Sequence, residues 1–269
     1  MATTKMSIQQ KYNKWDSALK ERYFASFKED KRDNTIWDGV ISPEKYAEAP
    51  MKVMILNREA YDPEPDNAYD LCEAIRDRIK NDEWVFPNQN TLRTHLKQYL
   101  KVLNMGQNGY LALSDETVRE HMQSADYYEF LRLFERVAYC NVKKSDGKPK
   151  SSKKDLKEYA EKGLDTLKEQ ILFFNPSIIL AGDVCDDILD NLFDWGDNLY
   201  CDPNHRLNIW QIKIGERLFP YVDMFHPSLV KGMSEYYIEL LHALQVVEKG
   251  HPGFWRDRIE KTKNCFITQ

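Results

Sequence analysis

Residues 51–63 read MKVMILNREAYDP. From Met51 to Leu56 the run is apolar except for Lys52, with no strict two-residue alternation, and at Asn57 it breaks into the polar segment NREAYDPEPDN. A compact apolar run of this kind suits a strand covered on both faces, the situation of strands in parallel sheets. The break at Asn57 predicts a strand end from which a polar loop leaves the core. The fold class follows from this reading and from whatever repeats it further along.

Two more runs repeat it. Val137 to Val142 (VAYCNV) reads as a second strand and Ser177 to Ala181 (SIILA), stopping at Gly182, as a third. Helical patterns lie between them. Residues 68–80, 91–103 and 126–135 have helical spacing, and Leu156, Tyr159, Gly163, Leu164, Leu167, Ile171 and Phe174 recur every three or four positions up to Pro176. That last series predicts an amphipathic helix of about five turns. A short helix is expected from Cys185 to Leu192, a hairpin over 208–225 turning at Gly215, and a closing helix from Glu235 to Val247. Near the start, Trp15, Leu19, Tyr23 and Phe27 are spaced by four and place an aromatic stripe on one face of a covering helix over 6–30. Ser42 and Pro43 fit the N-cap and first position of another helix.

Alternation of strand and helix predicts an α/β domain of three layers, α/β/α, with a mostly parallel central sheet. The 269 residues, 42% apolar, read as one domain: a helical covering segment over 1–45, an α/β core over 50–247 and a tail over 248–269. Ligands of such sheets bind outside the carboxyl ends of the strands. The polar segments expected there are LNREAYDP, NVKKSDG, AGD and FHPS.

A formal charge of −5 argues against a general nucleic-acid coat, which needs distributed basic charge. Positive charge is nevertheless concentrated in one place. Seven lysines fall between Lys143 and Lys157 against two aspartates, directly after the second strand. The five cysteines, Cys72, Cys140, Cys185, Cys201 and Cys265, form no C-x-x-C pair, so neither a zinc ribbon nor a disulfide framework is indicated. No cofactor or metal is expected. MATTKMSIQQKYNKW lacks the apolar stretch of a secretory signal, and no run approaches the length of a membrane span. The expectation is a cytoplasmic protein, monomeric and with no membrane partner.

A first strand running into NREAYDP, a second into CNVKK, the long helix leading to NPSIILAGD, and a late FHPS resemble, in that order, the uracil-DNA glycosylase superfamily over about residues 50–245. The likeness is to divergent, uncharacterised bacterial members. It implies the corresponding α/β/α fold, DNA as partner, a part in DNA repair, and hydrolysis of the N-glycosidic bond of a base turned out of the helix. The iron–sulfur branch needs four cysteines flanking these motifs; none occurs before Cys72 or between Val142 and Val184, so no cluster is expected.

The resemblance also implies roles for particular residues. Glu59 falls at the glutamate of the GEAPG-type motif and would orient or activate the attacking water, with Asp62 as a possible substitute carboxylate. Ala60 stands where the GQDPYH type has its aspartate, and Arg58 and Tyr61 replace a glycine and a proline. Asn141 would read the edge of a uracil-like base with its amide. His226 would donate to a base carbonyl as negative charge gathers on the leaving pyrimidine. Tyr61 or Tyr69 would stack on the base, Lys143, Lys144, Lys148, Lys150 and Ser228 would hold phosphates, and Leu229 would fill the gap left by the flipped base. Two other functions fit the same residues: a base- or nucleotide-binding module without turnover, and a hydrolase of free nucleosides or nucleotides.

Overall fold

The structure, a computed structural model, describes residues 6–27, 35–60, 68–83, 85, 90–106, 109–123, 127–145, 152–184, 188–204, 206–228 and 235–263. The chain opens with helix α1 (Ile8–Ala25), started by Ser7, whose hydroxyl accepts from the Gln10 amide while the Gln10 side chain accepts from the Ser7 amide. Two short strands, β1 (Ile36–Trp37) and β2 (Gly39–Val40), precede helix α2 (Pro43–Glu48). Strand β3 (Val53–Glu59) is followed by β4 (Tyr69–Asp70) and by helix α3 (Leu71–Lys80), which Asp70 caps. Helices α4 (Asn90–Met105), α5 (Asp115–Met122) and α6 (Tyr127–Phe134) lead to β5 (Val137–Lys143). Helix α7 (Lys153–Phe174) returns the chain to β6 (Ile178–Gly182). The antiparallel strands β7 (Asp194–Cys201), β8 (Leu207–Ile214) and β9 (Arg217–Met224) come next, then helices α8 (Tyr236–Gly250) and α9 (Phe254–Thr262).

Seven strands form the main sheet in the order β2-β5-β3-β6-β9-β8-β7. The four central strands, β5, β3, β6 and β9, are parallel, while β2 is antiparallel on one edge and β8 and β7 are antiparallel on the other. This is a mixed α/β fold with a parallel central sheet and helices on both faces. Val53, Ile55, Val137, Tyr139, Ile178 and Leu180 pack beneath α3, α4, α6, α8 and α9. Alternate residues, Met54, Leu56, Ala138, Cys140, Ile179 and Ala181, pack on the other face beneath α2 and α7. The aromatic stripe of α1 docks there too, with Leu19, Tyr23 and Phe27 buried around Trp37 and Tyr159.

The three central strands anticipated from apolar runs are present, and β8 and β9 turn at Gly215, which has φ +60. Four elements differ from expectation. The first strand runs on from Leu56 to Glu59, because hydrogen bonding to β5 continues through Asn57↔Asn141 and Glu59↔Lys143. Strand β7 carries no apolar run, since it lies at the sheet edge with mostly exposed side chains. Residues 185–187 of the helix expected from Cys185 lie outside the described residues, and Ile188 and Leu189 are buried in a short π-helical piece. The segment read as a tail folds into α9: Trp255 is buried and donates to the Leu244 carbonyl at 3.0 Å, and Thr262 and Ser177 share a hydroxyl hydrogen bond at 2.8 Å.

Chain order fixes where a ligand belongs. From β3 the chain crosses to β5 on one side, then returns past β3 to β6 on the other. The carboxyl ends of β3 and β6 are therefore a topological switch point, the crevice where open α/β sheets take their ligands.

Candidate functional site

Asn57 of β3 and Asn141 of β5 are register partners at this crevice. Partners on adjacent parallel strands point to the same face, so the two carboxamides are neighbours. Both residues are buried, 2% and 1% exposed. Neither the Oδ1 nor the Nδ2 of Asn57, nor the Oδ1 of Asn141, has a protein partner. Leaving a buried amide unpaired costs on the order of 1–3 kcal/mol, so three such atoms together mark a place where packing alone does not account for the residues.

Asn141 is oriented from behind. Its backbone amide donates to Asp38 Oδ2 at 2.8 Å and its Nδ2 donates to the same oxygen at 3.3 Å. Asp38, fully buried ahead of β2, also pairs with Lys144 at 2.5 Å and accepts from Gln170 of α7 at 3.3 Å. This bond engages the Asn141 amide nitrogen and leaves Oδ1 as the open atom of the carboxamide.

Gly182 ends β6 beside Asn57. A Cβ there would lie 3.2 Å from Asn57 Oδ1, 3.2 Å from Pro227 Cδ and 3.4 Å from the His226 Cα. Glycine thus lets the turn after β9 close onto the Asn57 amide. That turn is held from below by His95 of α4, whose Nδ1 donates to the Pro227 carbonyl at 2.6 Å.

His226 is half-buried, and its protonation state follows from its neighbours. The Ser228 backbone N–H, which can only donate, reaches Nδ1 at 3.2 Å, and the Ser228 hydroxyl lies 2.6 Å from the same nitrogen. Nδ1 is therefore the acceptor, and Nε2 carries the proton of the neutral ring. Burial, and then the positive charge of Arg58, pull the imidazole down to about 4, so the ring is neutral at physiological pH. Arg58 is itself anchored at the switch point, donating from Nε to the Asp183 carbonyl at 2.6 Å and pairing with the Asp183 carboxylate. Asp183 holds a left-handed backbone conformation at φ +58, which non-glycine residues seldom adopt outside constrained sites.

Glu59 and Lys143, also register partners, form the rim. Lys143 pairs with Glu59 at 3.1 Å and with Asp155 of α7 at 2.8 Å. Burial opposes a charge on Lys143, but the hydrogen bonds to Asp155 and Glu59 outweigh it and raise its pKa. Glu59, Lys143, Asp155 and Ser152, the N-cap of α7, line a cavity of about 280 Å³. Two carboxylates against one ammonium leave it a net negative lining.

The residues expected to act together are thus brought to one edge of the sheet, though not into one cavity. Glu59 ends β3, Asn141 lies two residues before the end of the neighbouring β5, and His226 follows β9, separated from β3 by β6 alone. Of these three, Glu59 lines that cavity and Asn141 and His226 do not. Tyr69 is half-buried in β4, its amide donating to the Thr35 carbonyl at 3.0 Å, at the β5 edge of the site. Tyr61, Asp62, Lys148, Lys150 and Leu229 lie outside the described residues.

Two of the four lysines expected at phosphates need correction. Lys143 and Lys144 have only 4% and 2% of their side chains exposed and hold carboxylates inside the protein. The strand continues through Lys143 and buries what reads in sequence as the start of a solvated loop. Ser228 likewise has its hydroxyl on His226. Asn57 and Asp183 fall in the polar segments LNREAYDP and AGD expected at the site, though sequence reading gave neither a role, and Asp38 and His95 carry no signal in the sequence.

Among the described residues, no group of three or more His, Cys, Asp or Glu is placed to hold a metal ion, and no helix is long and apolar enough to cross a membrane. No protein-family model and no curated protein matches this chain.

Proposed function

We propose that the protein is a base-recognising hydrolase of the uracil-DNA glycosylase type, which draws a uracil-like base out of DNA and cleaves its N-glycosidic bond with water. The observation that carries the reading is the placement of Asn141, Asn57 and a neutral His226 along the switch-point end of one parallel sheet, with the Glu59 carboxylate at its rim.

Each part has a use in that reaction. Open amide atoms in a dry site discriminate strongly between ligand edges, because an unmatched partner leaves them unpaired. A neutral imidazole with its proton on Nε2 donates to a carbonyl as the base departs with the bonding electron pair, and gains strength as negative charge develops. Water bonds to the sugar carbon as the glycosidic bond breaks; its proton goes to Glu59 and from there to solvent or the departing base. The net negative lining around Glu59 suits the positive charge that builds on the sugar.

One observation favours a second reading, a base-binding module without turnover. The Glu59 carboxylate is already paired with Lys143. The two readings separate in one experiment. Oligonucleotides containing uracil or other altered pyrimidines, single- and double-stranded, are incubated with the protein and treated with alkali, which breaks the strand at abasic sites. A hydrolase gives breaks that fall by two orders of magnitude or more in Glu59→Gln and in His226→Ala. A module gives intact strands and salt-dependent binding.

A further inference from the structure

We infer that Asn57 is a second base-reading residue, which determines specificity together with Asn141 by donating to the carbonyl of a cyclic imide edge. The inference rests on the reading of this site as a base site and sharpens it.

Three independent features carry it. Asn57 is 98% buried, its exposure being 2%, yet neither polar atom of its amide has a protein partner. Its register partner Asn141 also has an unpaired Oδ1, so the two amides stand side by side without bonding to each other. And Gly182, by lacking a Cβ, leaves the space against Asn57 Oδ1 that any other residue would narrow to 3.2 Å. A structural asparagine at a strand end has its amide satisfied by a turn or a neighbouring strand; this one has neither.

Asp38 then decides which edge fits. It engages the Asn141 amide nitrogen, so the atom that Asn141 leaves open for a ligand is an acceptor. An acceptor takes a ring N–H. On the next strand the Asn57 amide has its Nδ2 available as a donor for the adjoining carbonyl. N–H beside C=O is the imide edge of uracil and related oxidised or deaminated pyrimidines. Cytosine presents a bare ring nitrogen and an amino group in those places, so it meets Asn141 acceptor to acceptor. Discrimination is thus divided between two asparagines on adjacent strands.

The test uses the whole protein with Asn57→Ala, Asn57→Leu and Asn57→Asp. Binding of free uracil and free cytosine is measured by calorimetry, release of uracil from a single-stranded oligonucleotide by chromatography, and the melting midpoint by thermal denaturation. Leucine matches asparagine in shape and removes the unpaired polar atoms. The expected result is a loss of at least tenfold in uracil affinity or in kcat/KM for Ala and Leu, with the midpoint of the Leu variant equal to or above that of wild type. Asn57→Asp, which only accepts when ionised, shifts the uracil-to-cytosine ratio by at least tenfold against uracil. Wild-type affinity, kcat/KM and base preference in all three variants overturn the role of Asn57 and leave the hydrolase reading intact. So does a loss of binding that tracks a lowered midpoint in every variant with the ratio unchanged, which marks a structural residue. A wild-type protein that neither binds either base nor releases uracil overturns both.

Discussion

Asn57 and Asn141 are paired in register on adjacent parallel strands, both buried, and yet each keeps amide atoms that bond to nothing in the protein. Other buried side chains leave single atoms unpaired, among them the Tyr99 hydroxyl and the Gln170 Oε1, but on no two register partners. Gln170, beside Asp38, still donates twice, and Lys52 is tied by its backbone to Ser177. At the crevice where the sheet changes direction, three unpaired amide atoms fall on two adjacent residues. Sites that hold strain or unpaired groups are commonly those that exchange them for a ligand.

Gly182 provides the first prediction. Its replacement by alanine places a methyl 3.2 Å from both Asn57 Oδ1 and Pro227 Cδ, tighter than ordinary packing. Gly182→Ala is expected to lower stability by about 1–2 kcal/mol, the usual cost of overpacking, and to weaken uracil binding by a larger factor than that shift explains. Urea titration and calorimetry on the same preparation check the two effects.

A second prediction concerns Asp38. Its carboxylate is the counter-charge of Lys144, and both side chains are almost fully enclosed. Removing one member of such a pair leaves a buried charge uncompensated. Asp38→Ala is therefore expected to cost about 3–5 kcal/mol, read as a lower urea midpoint. The double replacement Asp38→Ala with Lys144→Met recovers most of that loss but not base binding, because the Asn141 amide remains unoriented.

The docking of α1 is the subject of a third. Asp16 accepts from Trp37 Nε1 at 2.9 and 3.0 Å, and burial raises its carboxyl from the ordinary 3.8 to about 6. In that window the folded protein binds more protons at Asp16 than the unfolded chain, so this group makes stability fall as pH rises from about 4 to 6, with no further change above. His226 acts in the opposite sense. Its folded value of about 4 lies below the usual 6.5, so its contribution falls as pH drops through the same range. Comparing Asp16→Asn with wild type isolates the first effect. The variant is expected to gain on the order of 2 kcal/mol, fully at pH 7 and not at all below pH 4, in denaturation series across that range.

The same imidazole gives a fourth prediction. Since His226 is neutral down to about pH 4, base release should show no acid limb near 6.5 attributable to this ring. A limb near 6.5 that disappears in His226→Ala contradicts the neutral-donor role.

Much of the architecture is legible in the sequence because it is written in local hydrophobicity. The runs of β3, β5 and β6 and the four-residue stripe of α1 are visible without knowing what they pack against. The site is less legible, for a physical reason. Lys143 and Lys144 read as a solvated basic loop, and their partners Glu59 and Asp38 are respectively 84 and 106 residues earlier in the chain. Only the parallel register of β3 and β5 and the antiparallel return of β2 bring them together. Asn57 reads as the first loop residue, because nothing local tells that hydrogen bonding to β5 carries the strand three residues further. Strand β7 is invisible for a different reason: as an edge strand it buries little and needs no apolar pattern.

The most direct test of the account is the release of free base from a single-stranded oligonucleotide with one uracil, measured by chromatography for wild type and for Asn141→Ala at equal stability. The account predicts free uracil from wild type and a loss of at least a hundredfold in the variant. No base released by wild type, or equal release by both proteins, contradicts it.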